Sequence, residues 1–282
     1  MLYVTFVNTA TGANLGVWSW NGIGPWAQVG FTAALAANES VRSVLAANTD
    51  LFAVTALITG TGDDTVTTHS LYYFDSTNFV DAGIQDAAIG LPNSVAYDGS
   101  NYWFTAGADI LTGTTADAID VDLTAPSAFF GGVTNLAPSA VCAFTTRDGT
   151  VYDYNASWSA ASSVFENYRD TDYAFGLPAY VDYGTKQALL VPTRVYPRSS
   201  SDVSPAGGYL EFDAFGFNAA TAEANENYDL VADAINFSIS LDGLSVRSIV
   251  AFNNDTLFAL TDGNGLWSDH FSAGSWSGWR RE

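Results

Sequence analysis

Short apolar runs rich in Val, Tyr, Phe, Trp and Thr alternate along this chain with clusters of Gly, Asn, Asp and Pro. Runs of that kind predict β-strands, and the clusters between them predict tight turns. A sustained 3.6-residue apolar spacing is absent. The best helical stretches, residues 31–38 and 219–225, are short and Ala-rich and predict about one or two turns each. The pattern is that of an all-β chain.

The strands repeat. Five segments, residues 43–54, 94–105, 140–152, 180–191 and 248–260, each place an apolar strand, a turn carrying Asp, Asn or Gly, and a second apolar strand. Those turn residues tolerate the backbone angles that a tight hairpin demands. Anchored on Val44, Val95, Val141, Val181 and Ile249, the intervals are 51, 46, 40 and 68 residues. The longest contains a Pro- and Ser-rich insertion at 197–208. Third strands are expected at 70–75, 162–168, 208–212 and 265–270, and fourth strands at 78–82, 127–130, 228–232 and 275–279. Residues 2–7, 15–20 and 26–31 read as three strands of a partial unit, and 236–241 as a spare strand. Four strands in about 40–50 residues is the blade unit of a β-propeller. The expectation is one all-β domain over residues 1–282, a single β-propeller of about six four-stranded blades, with five or seven as alternatives. The last unit, Leu257 to Trp267 and on to Trp279, resembles propeller repeats in general.

Charge narrows the functions. Thirty acidic and nine basic side chains give a formal charge of −21. Such a surface cannot neutralise a row of phosphates, which excludes a nucleic-acid binder that works through basic patches. It also argues against an anionic membrane, and no apolar run is long enough for a membrane-spanning helix. The start of the chain lacks the basic and apolar regions of a secretion signal. Asp outnumbers Glu by 24 to 6. Asp suits turns, so the acids are expected in loops. Lysine occurs once, at Lys186, and 27 Thr, 25 Ser and 18 Asn supply the rest of the polar surface. Scarce lysine with abundant Asp is the pattern of a protein adapted to high salt, although lysine-poor β-proteins also occur without it.

Candidate chemistry is sparse. The single cysteine, Cys142, excludes an internal disulfide. His69 and His270 stand far apart in sequence, and no Cys-x-x-Cys or EF-hand loop is present, so no metal site or cofactor is expected. Asp63–Asp64 and Asp117, Asp120 and Asp122 read as solvated turn carboxylates. A Gly-x-Ser-x-Gly elbow and a phosphate loop are both absent. Glycoside hydrolysis needs two carboxylates across one bond. Asp98 and Asp182 lie near hairpin ends, while Glu166 and Glu211 fall on later strands. Tryptophans near strand ends offer indole faces for a sugar ring. The candidates for ligand binding are Trp18, Trp20, Trp267, Trp276 and Trp279, with core packing as the competing role. Arg280 and Arg281, two of only nine cations, are candidates for docking to a partner.

The whole chain resembles, in architecture, the structural and attachment propellers of tailed virus particles, including those that infect salt-loving archaea. That resemblance implies a non-enzymatic virion component, such as a capsid-decoration, turret, spike or tail protein. Its partners would be other virion proteins, copies of itself and a host-surface glycan or glycoprotein. It would be made in the host cytoplasm and carried in the particle. A propeller lectin and a propeller glycoside hydrolase are the alternatives.

Overall fold

The computed structural model describes residues 1–7, 14–86, 88–122, 130–136, 141–146, 151–154, 157–160, 173–182, 187–195, 208–213, 241, 244–253, 255–272 and 275–282. The chain divides into two compact units, Met1–Ala125 and Pro126–Glu282. Each holds three small antiparallel sheets. In the first unit, sheet 1 is β1 (Leu2–Val7), β2 (Asn14–Trp20) and β3 (Ala27–Val29). Sheet 2 is β4 (Glu39–Ala47), β5 (Asp50–Thr59), β6 (Val66–Phe74) and β7 (Phe79–Asp86). Sheet 3 is β8 (Pro92–Tyr97), β9 (Tyr102–Ala106), β10 (Asp109–Thr115) and β11 (Ala118–Asp122).

In the second unit, sheet 4 is β12 (Phe130–Asn135), β13 (Cys142–Thr146), β14 (Val151–Tyr154) and β15 (Trp158–Ala160). Sheet 5 is β16 (Tyr173–Phe175), β17 (Ala179–Asp182), β18 (Gln187–Val195) and β19 (Gly208–Asp213). Sheet 6 is β20 (Val246–Asn253), β21 (Thr256–Thr261), β22 (Gly265–Ser272), β23 (Ser275–Trp276) and β24 (Arg280–Arg281). Five sheets carry four or more strands and sheet 1 carries three. In sheets 1 to 4 sequential strands pair with their neighbours; in sheet 5 β16 and β17 both pair with β18, and in sheet 6 β23 and β24 both pair with β22. Small antiparallel meanders of this kind are the blades of a β-propeller.

The repeat has a backbone signature. The first strand of sheets 2, 3, 4 and 6 carries one extra residue against the second strand: Arg42, Asn93, Gly131 and Arg247. Sheet 5 has the same single-residue shift between Phe175 and Ala179. A bulge bends a strand and strengthens its twist. Beside each of these four bulges the second strand buries a threonine: Thr55, Thr105, Thr145 or Thr261. Thr105 donates to Asn93 Oδ1, and Thr145 donates to the Gly176 carbonyl at 2.8 Å. Each hydroxyl satisfies an acceptor close to the point where the ladder breaks.

Second strands are apolar without alternation because they are covered on both faces. In β5, Phe52 and Val54 pack on sheet 3 through Tyr102, Phe104 and Leu111, whereas Ala53 joins Val17, Val29 and Val41 under sheet 1. In the second unit, Val181, Ala188 and Leu190 of sheet 5 pack on Ile249, Leu257 and Ala259 of sheet 6. Sheet backbones there approach closely. A Cβ on Gly131 would lie 2.2 Å from the Phe175 carbonyl, and one on Gly176 would lie 2.1 Å from the Arg247 carbonyl.

Three sequence expectations change. Residues 31–38 form no helix: Phe31 bridges to Phe79, because the Thr32 N–H is taken by the Phe79 carbonyl at 2.8 Å. The 140–152 hairpin joins β13 to β14, the second and third strands of its sheet rather than the first and second. Of the fourth strand expected at 127–130, Phe130 instead opens β12, and β11 completes sheet 3; residues 127–129 lie outside the described residues. Two glycines, Gly131 and Gly132, hide β12 from an apolar reading. Residues 162–168, 219–225, 228–232 and 236–240 lie outside the described residues.

Candidate functional site

Sheet 1 has two apolar faces, and among the described residues of its own unit only one is covered. Register places Leu2 and Val4 beside Trp20 and Trp18 on one face, and Tyr3 and Thr5 beside Ser19 and Val17 on the other. The second face packs on sheet 2 through Val17 and Val29. On the first face, Phe6 meets Trp18 at 6.1 Å and Trp26 at 5.6 Å, both edge-on, and Trp20 stacks on Trp26 at 5.7 Å. The three indoles are half-buried, Phe6 is 38% exposed and Leu2 is 51% exposed. Asx turns hold the loops: the Asn14 carboxamide oxygen accepts from the Gly16 N–H and that of Asn21 from the Ile23 N–H.

The chemistry of this face favours apolar contact. The Trp18 Nε1–H donates to the Leu15 carbonyl at 2.9 Å and the Trp20 Nε1–H to the Gly24 carbonyl at 3.0 Å. Both indole donors are thus engaged by their own backbone. Residues 1–38 contain no charged side chain. Trp18 and Trp20 are legible in the sequence as candidates, and Trp26 as a further tryptophan near a strand end, whereas Leu2 and Phe6 join the site only through the fold. The signal that points to them is the run Leu2 to Val7, apolar at nearly every position in a unit that lacks a strand.

Sheet 6 is covered on one face in the same way. Leu257 and Ala259 are buried, while Val250 (55% exposed), Phe252 (72%), Leu260 and Leu266 stand open on the opposite side with Phe258. The other tryptophan candidates separate here. Trp279 is 5% exposed and meets Tyr209 edge-on at 5.8 Å, so its ring belongs to the core. Trp267 packs against the same cluster. Trp276 pairs with Phe271 in the backbone, and its side chain lies outside the described residues. Arg280 and Arg281 are an edge strand rather than a loose tail. They pair with Ser268 and Trp267, and both side chains are exposed. By register Arg280 stands on the open face of the sheet.

The carboxylates are tied into structure. Asp98 accepts the Ser100 and Asn101 N–H groups and the Trp103 Nε1–H, and Asp182 accepts from the Gln187 carboxamide. Asp75, Asp81 and Asp86 cap turns likewise, as the excess of Asp over Glu implies. The Asn78 and Thr77 N–H groups hold Asp75 below the ordinary carboxylate value. Glu39 gathers the Thr55 hydroxyl, the Tyr72 hydroxyl and the Ala36 N–H. Burial, and then the Glu39 charge, push Tyr72 up to about 12. Burial and a hydrogen bond to Asp50 do the same to Tyr102. Burial raises Asp269, which accepts from Ser277 and the His270 N–H. Among the described residues no three His, Cys, Asp or Glu side chains gather as a metal site. No helix among them is long and apolar enough to cross a membrane.

No family model and no curated protein matches the chain. Solved structures do. Two structures of the extracellular domain of a putative two-component (or one-component) system from B. thetaiotaomicron match at TM-scores of 0.52 and 0.50, with 13% and 14% identity. The match covers 98% of this chain but 32% of each of those, so the chain spans about a third of their length. PorZ, a surface component of the type-IX secretion system of Porphyromonas gingivalis, matches at a TM-score of 0.45 and 12% identity over 83% of this chain and 41% of that one. At these identities the likeness is one of fold. With the sheet topology it defines the class: an all-β chain of the β-propeller type.

Proposed function

We propose that this chain is a non-enzymatic structural component of a larger assembly, and that the assembly is a virus particle. The observation that carries the docking role is the open aromatic face of sheet 1, Leu2, Phe6, Trp18, Trp20 and Trp26. Monomeric proteins rarely leave such a patch uncovered unless it is a contact site. The acidic, lysine-poor composition and the architectural resemblance to virion propellers support the setting. A sugar site draws less support. Two of the three indole donors are used internally, and residues 1–38, which supply all of sheet 1, hold no carboxylate to grip hydroxyls.

Sequencing the genes on either side of this one in its source genome tests the setting. Capsid, portal or tail genes next door are expected. Transport or sugar-metabolism genes there overturn the virion reading. Turnover of glycoside substrates, lost on Asp98→Asn or Asp182→Asn, overturns the non-enzymatic one.

A further inference from the structure

We infer that Asn21 is a self-modification site: in the folded chain the backbone nitrogen of Gly22 attacks its carboxamide and converts it, without an enzyme, to aspartate and isoaspartate. Two of the 18 asparagines precede a glycine, Asn21 and Asn264. Glycine has no Cβ to block the approach of its own nitrogen to the preceding side chain. Asn21 and Gly22 lie between β2 and β3, outside both strands, and both are exposed. Gly22 has a φ of 90°, and nothing stands within 4 Å of the place its Cβ would take. The loop also prepares the carbonyl. The Ile23 N–H donates to Asn21 Oδ1 at 3.0 Å. That oxygen gains negative charge as the Gly22 nitrogen bonds to Cγ, so a donor is already aimed at the atom where charge develops.

The conversion needs only water. The bond from the Gly22 nitrogen to Cγ forms and the Cγ–Nδ2 bond breaks; Nδ2 leaves as ammonia with the proton that Gly22 gives up. Water then opens the succinimide at either carbonyl carbon, returns a proton to the Gly22 nitrogen and leaves a carboxylate. Nothing is oxidised or reduced. Asn264 is the internal contrast. Gly265 opens β22 and pairs with Thr261 in the ladder, and its carbonyl accepts from the Thr261 hydroxyl at 2.8 Å. Attack by its nitrogen must first lift Gly265 out of the sheet, and the hydrogen bonds given up raise the barrier. The place of the product gives it consequence. Residues 1–38 contain no charged side chain. The new carboxylate follows Trp20, whose Nε1–H closes the same loop on the Gly24 carbonyl at 3.0 Å and whose ring stacks on Trp26 at 5.7 Å. The isoaspartyl form lengthens the main chain inside that closure. Conversion thus writes a permanent charge beside the tryptophan pair, in proportion to the age of the molecule.

The test is incubation of the whole chain in heavy-oxygen water at mildly alkaline pH, folded and in urea. Peptide mass mapping locates the oxygen taken up, and methylation by protein isoaspartyl methyltransferase counts the isoaspartyl product. Folded protein is expected to gain both at position 21, at least as fast as in urea, where the fold holds neither Asn-Gly pair. Position 264 is expected to react at least about tenfold more slowly folded than in urea, the equivalent of about 1.4 kcal/mol of hydrogen bonding given up. Ile23→Pro removes the donor to Oδ1. It is expected to slow position 21 by about threefold or more, the worth of one such hydrogen bond. The Ile23 side chain is 83% exposed, so Ile23→Ala, which keeps the N–H, is expected to match the wild type. Folded Asn21 reacting more slowly than in urea, or folded Asn264 keeping pace with folded Asn21, overturns the inference. Equal rates for Ile23→Pro and Ile23→Ala overturn it as well, since the donor then contributes nothing.

Discussion

At the scale of single residues, the hydrogen bonds of Glu39 and the burial of Asp269 give the sharpest expectations. Glu39 accepts from two hydroxyls and one backbone N–H. Glu39→Gln removes the charge that helps raise Tyr72, so the Tyr72 phenol is expected to titrate lower, as followed by its ultraviolet absorbance against pH. The same change is expected to cost about 1–3 kcal/mol, the usual worth of hydrogen bonds to a charged acceptor. Asp269 behaves in the opposite sense to a salt-bridged acid. Burial raises it above 3.8, so the folded state holds its proton more tightly than the unfolded one. Its contribution to stability is therefore greatest at low pH and falls as pH rises from about 3.8 through the raised native value. Chemical denaturation of Asp269→Asn and wild type between about pH 3 and 7 is expected to show the balance moving toward the variant as pH rises. The size of that movement is about 1.4 kcal/mol for every tenfold by which burial weakens the carboxyl as an acid. A constant difference would contradict this.

At the scale of elements, the close approach of neighbouring strands governs the second unit. Gly176 leaves no room for a methyl group because the Arg247 carbonyl stands 2.1 Å from where a Cβ would sit. The obstruction is backbone, which cannot swing away as a side chain can. Gly176→Ala is expected to lose about 3 kcal/mol, the upper range for overpacking, measured as a lower urea midpoint. Gly263→Ala, where nothing lies within 4 Å of the new atom, is the comparison, and its cost is limited to the positive φ of 85°. The bulges belong to this scale too. Thr105→Val keeps the volume but strips the donor from Asn93 beside the bulge, and a loss of about 1–3 kcal/mol is expected in the same assay.

At the scale of the whole molecule, charge density dominates. Thirty acids against nine bases repel one another in the folded chain more than in the expanded one. Screening shortens the reach of that repulsion from about 30 Å at 0.01 M salt to about 3 Å at 1 M. The melting temperature is expected to rise with NaCl over that range, by about 2–4 °C for each kcal/mol of repulsion removed. A flat or falling melting temperature would remove the case for adaptation to salt.

How much of the fold and the site is legible in the sequence depends on what each signal is made of. Strand-forming runs and turn residues are local, so the runs 2–7 and 15–20 and the hairpins at 43–54 and 94–105 can be read directly, and the four-strand rhythm follows from them. β12 escapes such a reading because Gly131 and Gly132 carry no apolar side chain; only the neighbouring strand shows why they must not. The 31–38 stretch has helix-forming alanines, but a tertiary bridge from Phe31 to Phe79 overrides that propensity. The tryptophans show the same limit. Trp20 and Trp279 look alike in sequence, yet one stands on an open face and the other in a core, because sequence records that a residue is apolar and not what lies across from it. By itself the sequence determined the all-β class, the repeat, the acidic surface and the Asp-capped turns, since each rests on composition or on residues close in the chain. Only the tertiary structure decided which of two apolar faces is covered, since burial is a property of neighbours brought together from distant segments.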